Sequence, residues 1–331
     1  HSGRACGPIP FYDTPPFDTT DGPDYTTYKI IHLTKPKNRM KTLLGKTLRR
    51  IASLLPPGTP EFIYTVLCKP APLKKIANAV LIFIAPPIIE LEEGKLCLNK
   101  KDPVISGSLA LGVYEKTETK IFRENIKNGI DIGANIGYYT VIAAKRTGPQ
   151  GLVLAFEPEP ESFLLLKKTI SINGFKNVEC LNSAVSSKTG TEQLFLSETN
   201  LGDHRIYQTG DKRKHIEIKA ITLDEFLAQR KIQKVDVIKM DIQGAEGLAL
   251  KGMKNTIVSN PQLKLFTEFC AYDLKKTETG PEEFLKLLRN LDFRLQEINE
   301  QNGKVETVNS DQYLIAKTAK GKYTNLYCIR G

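Results

Sequence analysis

The stretch from Asn128 to Tyr139 constrains this chain more than any other. It reads Asn-Gly-Ile-Asp-Ile-Gly-Ala-Asn-Ile-Gly-Tyr-Tyr, and Val153-Leu154-Ala155-Phe156-Glu157-Pro158 follows it. A short apolar run enters a glycine turn, the turn opens a helix, and the next apolar run ends on a carboxylate. That order builds a nucleoside pocket at the carboxyl edge of a parallel sheet. A dinucleotide turn reads G-x-G-x-x-G and seats a pyrophosphate on the helix N-terminus. Here the run is Asp131-x-Gly133-x-Asn135-x-Gly137. Gly133 accepts positive φ, and Asn135 is among the few other residues that tolerate the left-handed region. Gly137 lets the helix start close to the strand. Asp131 would repel a pyrophosphate but attract a sulfonium or an α-ammonium group. Glu157 suits a bidentate hydrogen bond to ribose hydroxyls. The spacing therefore predicts S-adenosyl-L-methionine as ligand, with Asp131, Gly133, Asn135 and Gly137 around its methionine part and Glu157 on its ribose.

Strand and helix patterns alternate from there on. Strands are expected near 129–133, 152–157, 177–181, 235–240, 263–269, 292–298 and 311–316. Helices are expected near 137–146, 159–173, 222–230, 246–252 and 281–290. Parallel strands need crossover helices, and this alternation supplies them. An insert from Val185 to Ala220 carries two further alternating runs, Glu192 to Leu196 and Ile216 to Lys219. The strands at 292–298 and 311–316, joined through Asn302-Gly303, are expected to form an antiparallel pair at the sheet edge.

The chain divides into an extension over 1–39, a basic segment with a strand pair over 40–104, a catalytic domain over 105–318 and a tail over 319–331. The extension is rich in Pro, Asp, Thr and Tyr with little apolar periodicity, and reads as flexible. Met40 looks like a natural start, which would make the first 39 residues dispensable. From Met40 to Leu55, Leu44, Leu48, Ile51 and Leu55 fall at helical spacing, with Lys41, Lys46, Arg49 and Arg50 mostly off the stripe. Packing on the catalytic domain is the leading expectation. A basic amphipathic helix at the inner membrane surface, with contact through residues 40–89, is the other. Ile76 to Ile89 is apolar but broken by Pro86-Pro87, too short to span a bilayer, and is expected to be a buried helix. Residues 88–100 read as a strand pair around Glu93-Gly94-Lys95, and Tyr114 to Ile126 as a helix.

Charge narrows the partners. Between Lys29 and Lys75 there are eleven Lys or Arg against one acid, Glu61, so this segment holds the whole net charge of +10. A nucleic-acid enzyme is expected to put that charge on its catalytic domain. The remainder balances at zero, which favours a small polar or glycan-like acceptor and no nucleic acid. Six cysteines lack any C-x-x-C spacing and four histidines lack ligand spacing. Reduced thiols, a cytoplasmic setting and no metal are expected.

Three blocks resemble the FkbM family of S-adenosylmethionine-dependent methyltransferases. They are IDIGANIGYY at 130–139, AFEPEPESFLLLKKTISING at 155–174, and Thr222-Leu223-Asp224 with VDVIKMDIQGAEGLALKG at 235–252. The resemblance spans residues 105–316. It implies an α/β class I methyltransferase, a Rossmann-like doubly wound sheet with an antiparallel C-terminal edge strand. It also implies an O-methyl acceptor such as a sugar, glycan or secondary metabolite. The chain departs at Gln243, where the family commonly has Glu in the pattern Asp-x-Glu-Gly-Ala-Glu; Asp241 and Glu246 are retained. By fold position and resemblance, Ser183 and Ala184 should flank the adenine.

Methyl transfer from a sulfonium needs alignment and management of one proton. Asp241, at a strand end, could orient the donor's ammonium or accept the acceptor's proton. Glu246 either touches substrate or stabilises its helix through the dipole. Lys239 is a pocket cation or a buried ion-pair partner. Glu268, the acid ending an apolar strand, is a catalytic candidate. His204 has the intrinsic pKa of a general base and, with Arg205, lies in a polar insert loop. Two other readings stand beside catalysis: a donor-binding protein without turnover, which Gln243 favours, and a nicotinamide-dependent oxidoreductase, which the glycine spacing disfavours.

Overall fold

The computed structural model describes residues 71–330 apart from 199, 209 and 211, together with Leu43, Thr47, Arg50, Ile51 and Leu54, which are helical and exposed. The expected extension over 1–39 and most of the 40–55 helix lie outside the described residues.

The strands are β1 Ile88–Glu90, β2 Lys95–Cys97, β3 Gly129–Ile132, β4 Val153–Phe156, β5 Val178–Leu181, β6 Ala184–Val185 and β7 Gly190–Phe195. They continue with β8 His215–Ile221, β9 Val237–Met240, β10 Lys264–Phe269, β11 Phe293–Asn299, β12 Lys304–Thr307 and β13 Thr324–Arg330. Eight of them form one sheet in the order β12-β11-β13-β10-β9-β3-β4-β5. The run β10-β9-β3-β4-β5 is parallel, and β13 enters antiparallel between β10 and β11. This is the class I methyltransferase architecture expected from the sequence.

Both faces of the central strands are covered, so β3, β4 and β9 are buried throughout. Period-two alternation sorts their side chains. Ile130, Ile132, Leu154, Phe156, Ile238 and Met240 face the helices carrying Leu223, Leu250, Ile257 and Leu285. The opposite face takes Val153, Val237, Asp131 and Lys239. Over it lie the helices Lys116–Asn125 and Tyr138–Thr147, with Phe122 and Ile142 packed against Val153 and Val237. Asp131 and Lys239 are direct register partners across β3 and β9. Two charged residues thus enter the core side by side.

Local signals fix the helix ends. Glu159 caps Pro160–Asn173 by accepting the N–H groups of Glu161 and Ser162, and Pro160 opens the first turn. Thr222 caps Leu223–Gln229 in the same way. The β1–β2 hairpin docks on Pro160–Asn173: the Lys95 N–H donates to Asn173 Oδ1 and the Cys97 N–H to Thr169 Oγ1. Buried Glu93 takes Arg123 at 2.7 Å and Arg146 at 3.2 Å.

Two expectations fail. The strand expected at 311–316 is the helix Asp311–Thr318, capped by Ser310. Leu314 and Thr318 are buried one turn apart, a helical spacing hidden in a short apolar run. β11 therefore pairs with β12, and the closing strand β13 lies in the expected tail, filling the sheet beside β10. The apolar helix, Ala71–Ile84, does end before Pro86, but it is not buried. Leu73, Ile76, Val80 and Phe83 are 47–62% exposed, and Ile84 is buried at its end.

Candidate functional site

The parallel strands β3, β4 and β9 all end at one edge, and the chain leaves β3 through a left-handed turn. Gly133, Asn135 and Gly137 have φ of 82°, 48° and 96°. At Gly133 a β-carbon would lie 2.0 Å from the Asp241 carbonyl oxygen, so the position admits hydrogen only. The turn's Asn135 N–H donates to Glu157 at 2.8 Å, and the Glu159 N–H donates to the other carboxyl oxygen at 2.8 Å. Glu157 is held at the tip of β4, and burial pushes its pKa up to about 8 against the pull of these two N–H groups.

A cleft opens over this edge, with about 1040 Å³ of empty space counting its open mouth. Asp131, Gly133, Asn135 and Glu157 line it from one side, and Ser183, Ala184 and His204 from another. Lys239, Asp241 and Gln243 form its floor. Gly137 is not on its wall; it brings the helix Tyr138–Thr147 close to Leu166 and Thr169. Glu246 and Glu268 stand behind the wall. Glu246 accepts the Ile242 N–H at 3.0 Å, and burial raises it to about 7. Burial, then the charges of Asp241 and Glu246, hold Glu268 well above the carboxylate range.

Arg205 does not reach the cleft. It donates to Asp203, Tyr207 and Asp273, bracing the insert loop against the short helix Ala271–Leu274. His204 reaches it, but in an unexpected role. Its Nδ1 accepts the Ser197 N–H at 3.0 Å, and burial lowers its pKa. A neutral imidazole whose Nδ1 accepts carries its proton on Nε2, and that nitrogen donates. This arrangement leaves the Nε2–H of His204 as the group it can present to the cleft.

Beneath the floor, Lys239 is 2% exposed and lies 3.3 Å from Glu118. Burial opposes its charge, but Glu118, Glu115 and Asp241 outweigh burial and hold the proton on. Glu115 accepts from Tyr139 at 2.8 Å, and Asn325 donates to both Glu115 and Glu118. Asp131 accepts from Thr140 at 2.6 Å, and burial raises it to about 6. Sequence reasoning missed Glu115 and Glu118. Glu118 stands one turn before buried Phe122, an inward-facing position.

Residues 131–295 match the family model described as the Methyltransferase FkbM domain. The chain belongs to the FkbM methyltransferase family. The FkbM domain takes S-adenosyl-L-methionine as methyl donor, which sets the oxidoreductase reading aside. Methyltransferase sdnD of Sordaria araneosa is 26% identical over 202 residues, covering 47% of this chain and 78% of that protein. Hexuronic acid methyltransferase AglP of Haloferax volcanii is 32% identical over 130 residues, covering 39% of this chain and 51% of that one. The solved FkbM methyltransferase of Methylobacillus flagellatus KT superposes at a TM-score of 0.38 with 15% identity, covering 77% of this chain and 59% of that one.

The cleft of this FkbM domain fits the donor on its own geometry. The missing side chain at Gly133 lets backbone approach, Glu157 offers a fixed carboxyl to a diol, and half-buried Pro158 adds apolar surface for a base. Asp131 and Asp241 add carboxyl groups to the lining, the chemistry that a positively charged group needs. Among the described residues, Asp241, Glu246 and Glu268 also bring carboxyl oxygens within 4.8 Å of one another.

Proposed function

We propose that this methyltransferase O-methylates a hydroxyl of a sugar, uronic acid or related secondary metabolite, with Asp241 receiving the hydroxyl proton. The observation that carries it is the position of Asp241. It follows β9 at the cleft edge, is half-buried on the cleft floor, and has one carboxyl oxygen fixed by the Gln243 amide at 2.8 Å. S-adenosyl-L-methionine supplies a methyl group already activated by its positive sulfur. The chain's part is to hold the acceptor in line and take one proton. As the O–CH3 bond forms, the S–CH3 bond breaks and its electron pair stays on sulfur, while the hydroxyl proton passes to Asp241. Glu157 holds the ribose, Ser183 and Ala184 flank the adenine, Asp131 faces the positive end, and the His204 Nε2–H donates to a ligand oxygen. Glu246 holds the turn after Asp241 through the Ile242 N–H.

A sugar-like acceptor is supported by the hexuronic acid named for the Haloferax relative and by the balanced charge of the catalytic domain. The test is labelled methyl donor incubated with neutral hexoses, hexuronic acids and phenols, followed by mass analysis. Label in a hydroxyl of a sugar or uronic acid supports the reading. Label confined to nitrogen or to phenols overturns it. Donor binding without transfer to any of them favours the binding-protein reading.

A second reading concerns location. No helix among the described residues is long and apolar enough to cross a membrane. The exposed stripe Leu73, Ile76, Val80 and Phe83, next to Lys74 and Lys75, supports contact with an anionic lipid surface. The free thiols of Cys97, Cys180, Cys270 and Cys328 support a cytoplasmic side. Co-sedimentation with phosphatidylglycerol vesicles, lost in Ile76→Asp/Phe83→Asp, is the expected result. Equal recovery of both proteins would end this reading.

A further inference from the structure

Where the cleft floor meets β9 and β10, Asp241, Glu246 and Glu268 crowd their oxygens within 4.8 Å. Carboxylates this close repel unless a proton, a cation or an N–H lies between them. Glu246 is occupied by the Ile242 N–H at 3.0 Å. Lys239 turns to Glu118 at 3.3 Å. Between Asp241 and Glu268 stands the carboxamide of Gln243. Its Nε2 lies 2.8 Å from Asp241 Oδ1 and 3.4 and 3.5 Å from the two oxygens of Glu268.

The backbone is bent to place this group there. Gln243 sits in the left-handed region at φ 54°, and Gly244 follows at 99°. That conformation is unfavourable for a glutamine, and a donor shared by two acids offsets the strain. Gly244 has no room for a side chain, because a β-carbon would meet Tyr207 and Asp273 at about 3 Å. A glutamate at 243 would remove the donor and add a fourth carboxylate. Oxygen clusters of that kind take hard divalent cations.

We propose that the Gln243 carboxamide does the work a divalent cation would otherwise do: it ties Asp241 to Glu268, fixes Asp241 beside the acceptor, and makes this acid cluster metal-independent. Gln243 is thus a positioning residue that acts through Asp241. The part Asp241 plays in transfer rests on the reading above; the amide bridge does not.

The test is a Mn2+ titration of the full chain followed by electron paramagnetic resonance. Wild type is expected to leave Mn2+ in solution. Gln243→Glu is expected to take up one ion per chain at least roughly ten-fold more tightly, and Glu268→Gln added to it to release that ion. Calorimetry with S-adenosylmethionine confirms that each variant keeps its donor site. Two results overturn the proposal. One is Mn2+ uptake by wild type that Glu268→Gln removes, since Gln243 would then turn its oxygen to the ion. The other is no gain in Gln243→Glu while donor binding persists. With an acceptor in hand, a chelator should leave wild-type turnover unchanged and silence Gln243→Glu until Mn2+ is restored. Gln243→Leu should lower kcat without changing the donor KM. Failure of methyl transfer altogether would remove the acceptor reading and leave the Mn2+ comparison standing.

Discussion

The two sides of the cleft are built by different means. The donor side is one continuous stretch, β3 to the tip of β4, and it works through backbone: left-handed residues, a missing side chain and N–H groups aimed at Glu157. The floor and acceptor side join side chains from separate segments. Lys239, Asp241 and Gln243 meet there and His204 comes from the insert, while Glu268 from β10 and Glu115 and Glu118 from upstream of β3 back them from behind. A backbone device is local in sequence and fails as a unit. A side-chain assembly fails one partner at a time, by amounts set by burial.

The largest effect is expected where the two sides share a floor. Lys239→Ala leaves buried Glu118 without its cation, which costs about 3–5 kcal/mol above about pH 8, where Glu118 is ionised, and less below it, where burial keeps Glu118 protonated. Denaturant unfolding measures it. Glu118→Gln in the same background should recover part of the loss, because the orphaned charge is then gone. A Lys239→Ala protein as stable as wild type would mean that the pair is not buried as a pair.

Gly133→Ala tests the backbone side. The added carbon meets the Asp241 carbonyl oxygen at 2.0 Å in a left-handed conformation, so roughly 2–4 kcal/mol of stability is lost. Donor affinity, read by calorimetry, falls with it. Gly303→Ala is the control. It has φ 69° and nothing within 4 Å, and about 1 kcal/mol is expected. Equal losses at the two glycines would remove the close approach from the argument.

This contrast also explains what could be seen in the sequence. The turn, Glu157 and the alternation of strands and helices are local patterns, and a residue's neighbours in the chain announce them. Asn135 at φ 48° shows how far that goes. Arg205 looked like a substrate contact because a polar loop does not say which way it folds; Asp273, distant in sequence, decides that. The tautomer of His204 depends on the Ser197 N–H, which the sequence does not announce. The helix Asp311–Thr318 passed for a strand because a short apolar run carries both periods, and so β13 was hidden in an apparent tail. The exposed stripe on Ala71–Ile84 shows the converse, since apolar sequence alone does not say what covers it.

Glu157 joins the two regimes, a side chain held by backbone, and it gives opposite pH dependences for stability and binding. Its folded pKa is about 8, raised from 4.5. The fold therefore holds the proton more tightly than the unfolded chain does. Its contribution to stability is full below about pH 4.5 and is lost as pH rises through about 8. Glu246, raised to about 7, and Asp131, raised to about 6, add to the same slope. Donor affinity should move the other way, rising up to about pH 8, because an ionised carboxylate accepts ribose hydroxyls better. Glu157→Gln should flatten the affinity profile, reduce the stability slope and weaken donor binding by roughly 1.5–3 kcal/mol. Affinity that falls with pH in wild type would show that the neutral acid binds the donor.

The smallest effect is expected at His204, and it tells a donor from a base. If Nε2–H donates to a ligand oxygen, His204→Ala removes one neutral hydrogen bond, worth about 0.5–1.5 kcal/mol, or roughly two- to thirteen-fold in transfer rate. Donor affinity and the shape of the pH–rate profile should be unchanged, since no titration at His204 controls the reaction. A base would leave a different record: a larger loss of rate and disappearance of an ionisation near neutrality. His204→Gln, whose side-chain amide also offers an N–H, should then recover rate, because a lost donor can be replaced by another donor and a lost base cannot. Recovery together with an unchanged profile would leave Asp241 as the group that takes the proton. A profile that loses its acidic limb in His204→Ala would transfer that role to the histidine and require the Ser197 contact to open during turnover.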